Sequence, residues 1–468
     1  MVLLDSFLHP KGEQVRRHAA DRMRAKAACE SRACESRAAM HALGGDCEHT
    51  IPPRVFFYPQ LPQWDHTWLQ RLGPLHDQLR RSKHHTSDGA CADFFVLSNH
   101  QLKSGKKSSA LVTESFAWIA RQWPWWNQTA GRGLVRHLLL MPCDHGPGDC
   151  MYDRAFIPRK RPRADGSKAP QVSDAVNPLS PRRTVAFLNE NGAPGSFNFF
   201  IRGLDIRLPS GELHDCGPFC GTPYHQRPRG RQTDSVAQRV LRQYSPWAVT
   251  QAEEREVRLR APRRYRLFWA GRASGRKGFR GDLFRLHTNS SNHLRDGWLV
   301  HDTSGKHQPH GAATPAETRR RGWFAESMAS SDFCYSPPGQ YHGDSDRYLP
   351  AVLYGCIPIF VKDGETPPLD DVIPWANVSL QVGLGDVGRL HEIIAAVGPA
   401  KLVHMRLGMG AVWRRLLWTS TFGGGTATPS RRSQTPRYLG EDASQDAFAT
   451  LIDVLRARLR SERAGANV

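Results

Sequence analysis

The sequence predicts an α/β protein in two halves, each a set of short buried strands alternating with helices. Three observations predict it. Residues 55–58, 92–96 and 184–188 in the first half, and 265–270, 333–336 and 356–361 in the second, are short apolar runs, the pattern of parallel strands covered on both faces. Turn residues punctuate these runs, as in Pro337-Pro338-Gly339 and at Gly355. Longer segments with helical spacing, at 235–260 and 444–460, lie between and after them.

Taken in order, residues 1–50 stand apart. They contain a tandem repeat, CESRA at 29–33 and again at 34–38, with few large apolar residues, which reads as a solvated helix or disorder. A first α/β unit is expected over 51–245. It is interrupted at 158–181, where PRKRPR reads as a solvated loop insertion rather than a nuclear-localisation tract, because proline and glycine break the region up. The helical stretch 235–260 links the halves. A second unit is expected over 255–430, ending in a low-complexity loop after Gly423-Gly424-Gly425. In the last unit, 440–468, a helix near 444–460 puts Phe448, Leu451, Ile452, Leu455 and Leu459 on one face. Arg456, Arg458 and Arg460 are expected to complement its C-terminal dipole.

The most informative stretch is 331–375. Its first part reads strand, glycine-containing loop, helix, strand, with Asp344, Ser345 or Asp346 as helix cap and Gly355 as helix stop. In such a unit the loop amides and the helix start form an anion site suited to a diphosphate. Asp344-Ser345-Asp346 has the form D-x-D, yet at a helix start carboxylates act as caps rather than as metal ligands.

With 468 residues, 39% of them hydrophobic, the chain can build real cores and is not a disordered protein. Its 64 basic against 44 acidic residues give +20, which suits anionic partners such as nucleic acid, acidic polysaccharide or a nucleotide sugar. No zinc-finger spacing, helix-turn-helix or RNA-binding motif supports nucleic acid. GRASGRKG at 271–278 lacks the ending and spacing of a Walker loop. Ten cysteines do not make a disulfide scaffold, though Cys143 with Cys150 and Cys216 with Cys220 are candidate local bridges. Cys143, His145 and Cys150 lack the repeated spacing of a zinc site, and Cys334 and Cys356 read as small core residues. No run of about twenty apolar residues could span a bilayer. The first residues lack the apolar core of a signal peptide. Three sequons, at Asn127, Asn289 and Asn377, would permit glycosylation in a lumen.

The segment SDFCYSPPG at 331–339, Ser345-Asp346-Arg347, GCIPI at 355–359 and PLDDVIPW at 368–375 together resemble the signature of the exostosin family of glycosyltransferases. RLFWAGR at 266–272 and GLDIRLP at 203–209 are similar to further family segments, with weaker echoes at 54–58, 92–96, 123–127 and 144–146, so that the resemblance covers roughly 51 to 460. It implies the GT-B fold, two Rossmann-like domains facing a central cleft. The implied activity is a metal-independent, inverting transfer of a hexosyl or pentosyl unit from a nucleotide sugar, a UDP-sugar as the leading donor, to an oligosaccharide, polysaccharide or glycoprotein. Golgi residence and homo- or hetero-oligomers follow from the same likeness, although family members typically carry a membrane anchor.

The donor-binding residues implied are Gly271, Arg272, Pro338, Gly339, Ser345, Asp346, Arg347, Gly355, Cys356 and Pro358. Departure of a diphosphate needs positive charge and amide donors, which Arg272, Arg347 and the loop at 339–346 can supply. Asp144 and His145 lead as candidate catalytic base, with Asp65 and Asp205 behind them. Trp269, Trp323 and Trp375 read as core in preference to sugar-stacking residues. One departure bears on activity: Pro350 stands where family members often carry an acid suited to the donor's ribose, and proline removes a backbone donor from the early helix. That keeps a second reading open, a glycan-binding relative without turnover. A basic nucleic-acid-binding protein is a third.

Overall fold

The computed structural model describes residues 50–59, 72–97, 115–130, 133–140, 184–189, 200–209, 235–271, 278–289, 297–303, 314–320, 322–337, 347–361, 366–422, 439 and 443–465. Within them the chain builds two parallel sheets of five strands, an α/β architecture.

The first sheet contains β1 (Val55–Phe57), β2 (Phe94–Leu97), β3 (His137–Leu140), β4 (Val185–Asn189) and β5 (Ile206–Arg207), paired in chain order. Each strand is short and fully buried. One face, carrying Phe56, Tyr58, Phe95, Leu139 and Phe187, packs beneath an aromatic layer that includes Phe116, Trp123, Trp125 and Trp126. The other face, with Val55, Phe57, Phe94, Val96 and Leu138, joins a core continuous with the second half. Helix α1 (Gly73–Arg81) covers that face with Leu75, His76 and Leu79.

Helices α2 (Ser235–Tyr244) and α3 (Ala252–Arg260) lead into the second sheet. It comprises β6 (Tyr265–Gly271), β7 (Trp298–Asp302), β8 (Ser331–Ser336), β9 (Ile357–Val361) and β10 (Leu380–Val382), in the order β10-β9-β8-β6-β7. The chain steps from β6 outward to β7. It then crosses back over β6, through α4 (Trp323–Ala329), to start β8 on the other side. Phe268 of β6 meets Trp323 and Phe324 of α4 edge to face.

Helix α5 (Tyr348–Leu353) joins β8 to β9 and ends as the sequence predicts. Gly355 has φ +70°, its N–H reaches Val352 O, and the Cys356 N–H reaches Ala351 O. This is the Schellman arrangement, for which glycine is favoured. A side chain at Gly355 would also meet Pro246 Cγ at 2.9 Å.

The halves meet where the carboxyl ends of their strands come together. Leu369, in the segment after β9, donates to Arg207 O at the end of β5, at 2.9 Å. Arg207, 1% exposed, donates to Thr366 O at 2.5 Å and lies over the Tyr348 ring at 5.1 Å. Helix α6 (Ala447–Gly465) then returns to the first half, where Arg136 pairs with Glu462 at 2.8 Å.

Several expectations change. Leu451, Ile452, Leu455 and Leu459 are buried, and Phe448 partly so, as the helical spacing requires. The helix runs on to Gly465, however, so Arg456 and Arg458 are not in its last turn. Arg458 instead pairs with Asp371 at 2.7 Å and donates to the carbonyls of Leu204 and Asp205. Cys334 and Cys356 are buried as expected, but they form a disulfide with a Cα–Cα distance of 5.8 Å, because they stand as near-diagonal neighbours on adjacent strands. The repeat at 29–38, the insertion at 158–181, the loop after Gly423 and the pairs Cys143–Cys150 and Cys216–Cys220 lie outside the described residues.

Part of the arginine excess serves the fold. Arg263, Arg266 and Arg406 gather at the amino edge of the second sheet around one carboxylate, Asp332, which bridges Arg266 and Arg406. Arg266 reaches Ile394 O and Val397 O, Arg406 reaches Leu259 O and Ala261 O, and Arg263 reaches Ala329 O. These are carbonyls left unpaired near helix ends, and guanidinium groups satisfy them well. Burial lowers the Arg263 pKa to about 9.

Candidate active site

In an open parallel sheet, ligands bind outside the carboxyl ends of the strands where the strand order reverses. The second sheet reverses between β6 and β8. Here the backbone of β6 ends in Ala270 and Gly271, and Arg347 reaches across from just before α5 to donate its Nε to Ala270 O at 3.1 Å. Its guanidinium is thereby held over the strand end. A Cβ on Gly271 would lie 2.7 Å from Arg347 Nη2 and 3.0 Å from Trp269 Cζ2. Glycine at 271 therefore makes room for the arginine; it is the close approach, not a turn, that requires it. Asp302, fully buried, ends β7 directly beside Gly271.

Trp269 adds a group that the sequence reading assigned to the core. It is 1% exposed, as a core residue should be, yet its indole Nε1 is buried with no hydrogen-bond partner among the described residues. Its ring leans along β6 toward Gly271. A buried donor without a partner costs about 1–3 kcal/mol unless a water or ligand oxygen satisfies it. No sequence signal marks this residue beyond its place two positions before Gly271. Trp323 and Trp375 are core residues; Trp375 Nε1 donates to Pro368 O at 2.7 Å.

The predicted donor-binding set divides. Gly271 and Arg347 come together at the carboxyl edge. Gly355, Cys356 and Pro358 do not join them: they precede or begin β9 at the opposite edge, buried, where they close α5, bridge to Cys334 and fill the core. Arg272, Pro338, Gly339, Ser345 and Asp346 lie outside the described residues, as do Asp144, His145 and Asp65. Asp205 is a poor base: 3% exposed, it accepts from Phe187 N at 2.9 Å and Ile201 N at 2.7 Å, tying the approach to β5 to β4.

The expected backbone penalty of Pro350 is absent. The Ala351 N–H is the first donor seen within α5, to Arg347 O at 3.0 Å, so residue 350 occupies a first-turn position whose N–H has no partner within the helix.

Residues 232–397 match the family model described as the Exostosin GT47 domain, a span that holds β6 to β10 and the strand-order reversal. Curated relatives agree with it. The chain is similar to a probable beta-1,4-xylosyltransferase of Arabidopsis thaliana, 34% identical over 140 residues, 30% of this chain and 29% of the relative. It is also similar to a probable glucuronosyltransferase of Oryza sativa subsp. japonica, 39% identical over 74 residues, 16% of this chain and 17% of the relative. A probable glycosyltransferase of Arabidopsis thaliana is 32% identical over 82 residues, 18% and 16% of the two chains. The matched segments thus span less than a third of these relatives. Among solved structures, the glycosyltransferase WaaG, involved in lipopolysaccharide biosynthesis, aligns with a TM-score of 0.28 at 10% identity over 79% of this chain and 96% of its own. The α/β architecture of two parallel five-stranded sheets stands on the strand orders described above.

Proposed function

We propose that the protein transfers a sugar from a nucleoside-diphosphate sugar, a UDP-sugar as the leading donor class, to a glycan or glycoprotein acceptor with inversion. The observation that carries this reading is the guanidinium of Arg347 fixed over the end of β6 at the strand-order reversal of an exostosin domain. In the reaction the anomeric carbon–oxygen bond to the diphosphate breaks as the acceptor hydroxyl oxygen bonds that carbon from the opposite face. The hydroxyl proton passes to a base, for which Asp144 and His145 are the proposed candidates. Arg347 supplies counter-charge to the departing diphosphate, and the Trp269 indole N–H is placed to donate to a ligand oxygen beside it. Arg272 and the loop residues Pro338, Gly339, Ser345 and Asp346 are proposed to complete the cradle. The side chains supply the positive charge, so the proposal needs no metal.

The buried Cys334–Cys356 disulfide favours an oxidising compartment such as the Golgi lumen. Among the described residues, no helix is long and apolar enough to cross a membrane. Hydrolysis of a panel of nucleotide sugars, followed by transfer to oligosaccharides, tests the reading. Turnover of one donor class that Arg347→Ala abolishes is expected. Glycan binding with no turnover of any donor would instead support the non-catalytic relative, and salt-sensitive retention on nucleic acid the basic binding protein.

A further inference from the structure

A polar recess lies at the amino end of β1, away from the carboxyl edge that carries Arg347. It is a groove of about 590 Å³ between the end of α1, the short helical segment Trp413–Leu416 and the first turns of α6. Lys83 and His84 stand on the first-half wall, and Arg415, Phe448, Asp453 and Arg456 on the other. The Val55 N–H donates to His84 O at 2.7 Å, which fixes this wall to the start of β1, the edge opposite the carboxyl ends where the halves meet.

The charges do not balance. Among the described residues, Asp453 is the single carboxylate on the walls, shared by Arg415 at 3.2 Å and Arg456 at 3.0 Å. Lys83 is exposed and has no acidic partner among the described residues. Each arginine also keeps donors in reserve. Arg415 uses Nε on Thr450 Oγ1 and Nη2 on Asp453, and Arg456 uses Nε on Pro52 O and Nη1 on Asp453, so one terminal nitrogen of each remains. The His84 imidazole is buried with Nδ1 2.8 Å from Ile51 O, and burial beside Lys83 and Arg456 lowers its pKa, as expected where positive charge is in excess. The volume is that of a small-molecule site rather than a bare ion, and Phe448 gives it an apolar wall.

We propose that this groove binds a small organic anion, its phosphate or carboxylate oxygens on Lys83, Arg415 and Arg456 and its body against Phe448. Because Lys83 comes from the first half and Arg415 from the second, the bound anion ties the halves together away from the crevice. The inference does not depend on the transferase reading. Calorimetric titration of the full chain with glucose 6-phosphate, citrate and inorganic phosphate tests it, with melting curves alongside. Saturable binding of at least one organic anion, tighter than inorganic phosphate and weakened about tenfold by Lys83→Glu, is expected. Lys83 is exposed and makes no ion pair among the described residues, so that variant should fold; Arg456→Gln, with an unchanged melting point, serves as the second. Which organic anion binds separates phosphate from carboxylate as the source. No saturable binding, equal binding of inorganic phosphate, or equal binding by both variants overturns the proposal. So does a Lys83→Glu protein that loses nucleoside-diphosphate binding as well, because the groove would then not be a separate site.

Discussion

The two sheets have the same strand count and the same parallel sense, yet among the described strands only the second reverses its order. The first runs β1 to β5 in chain order with no reversal among its described strands, so each crossover steps the same way. The second reverses at β6 and β8, and there Arg347, Gly271 and Trp269 converge. Under the proposed function, the second half is therefore the one that would hold the donor. Besides the proposed base, the first half supplies contacts to the segment that carries Arg347, among them Arg207 over the Tyr348 ring.

Changes on either side of this comparison should therefore differ in kind. The largest effect is expected from Arg347→Ala: loss of donor turnover by about two to three orders of magnitude, with a melting temperature close to that of the parent. Asp205→Asn, its counterpart in the first half, should lower the melting temperature and leave turnover per folded molecule unchanged. Equal loss of turnover in both would break the assignment of the ligand site to the second sheet.

Next is Arg207→Met, which keeps volume but removes the guanidinium from Thr366 O and from the Tyr348 ring. A hydrogen bond from a charged donor contributes about 1.5–3 kcal/mol, and a loss of that size should appear in chemical denaturation together with a raised KM for donor. An effect on stability with no change in KM would show that the contact joins the halves without positioning α5.

A third test concerns pH. His137, fully buried between Tyr58, Trp126 and Phe95, has its pKa lowered to about 3 by burial, and its Nε2 stands 2.9 Å from Tyr58 Oη. Its folded pKa lies below the unfolded value near 6.5, so the unfolded chain binds the proton first. The stabilisation is complete above pH 6.5 and is lost as pH falls toward 3, at up to about 1.4 kcal/mol per pH unit for this one group. His137→Gln should flatten the slope of stability between pH 6 and 4; an unchanged slope would assign the acid sensitivity to other histidines.

The smallest effect is expected from Pro350→Glu. Position 350 needs no backbone donor, and a carboxylate in a first helical turn is worth about 0.3–1 kcal/mol. Stability should change within that range. A tighter fit for nucleoside diphosphates in this variant, read by thermal shift, would show that the missing acid limits donor binding; no change would place the ribose contact elsewhere.

Resemblance to two separate family segments names Gly271 and Arg347, and the fold brings them together. The sequence by itself determined the alternation of strands and helices, the buried face of α6 and the glycine that closes α5. Each is local: a period, a stop signal, or a residue type within one strand–helix unit. Tertiary structure alone decided the rest. Gly355, Cys356 and Pro358 belong to the same signature as Arg347, but a helix and a sheet thickness separate them, because neighbours in a motif can sit at opposite ends of a strand. Cys334 and Cys356 became a disulfide only once two strands lay side by side, and Arg458 found Asp371 only when the last helix returned across the chain. Contacts between residues distant in sequence depend on the order of strands in a sheet, and apolar periodicity, which reports burial, carries no record of that order.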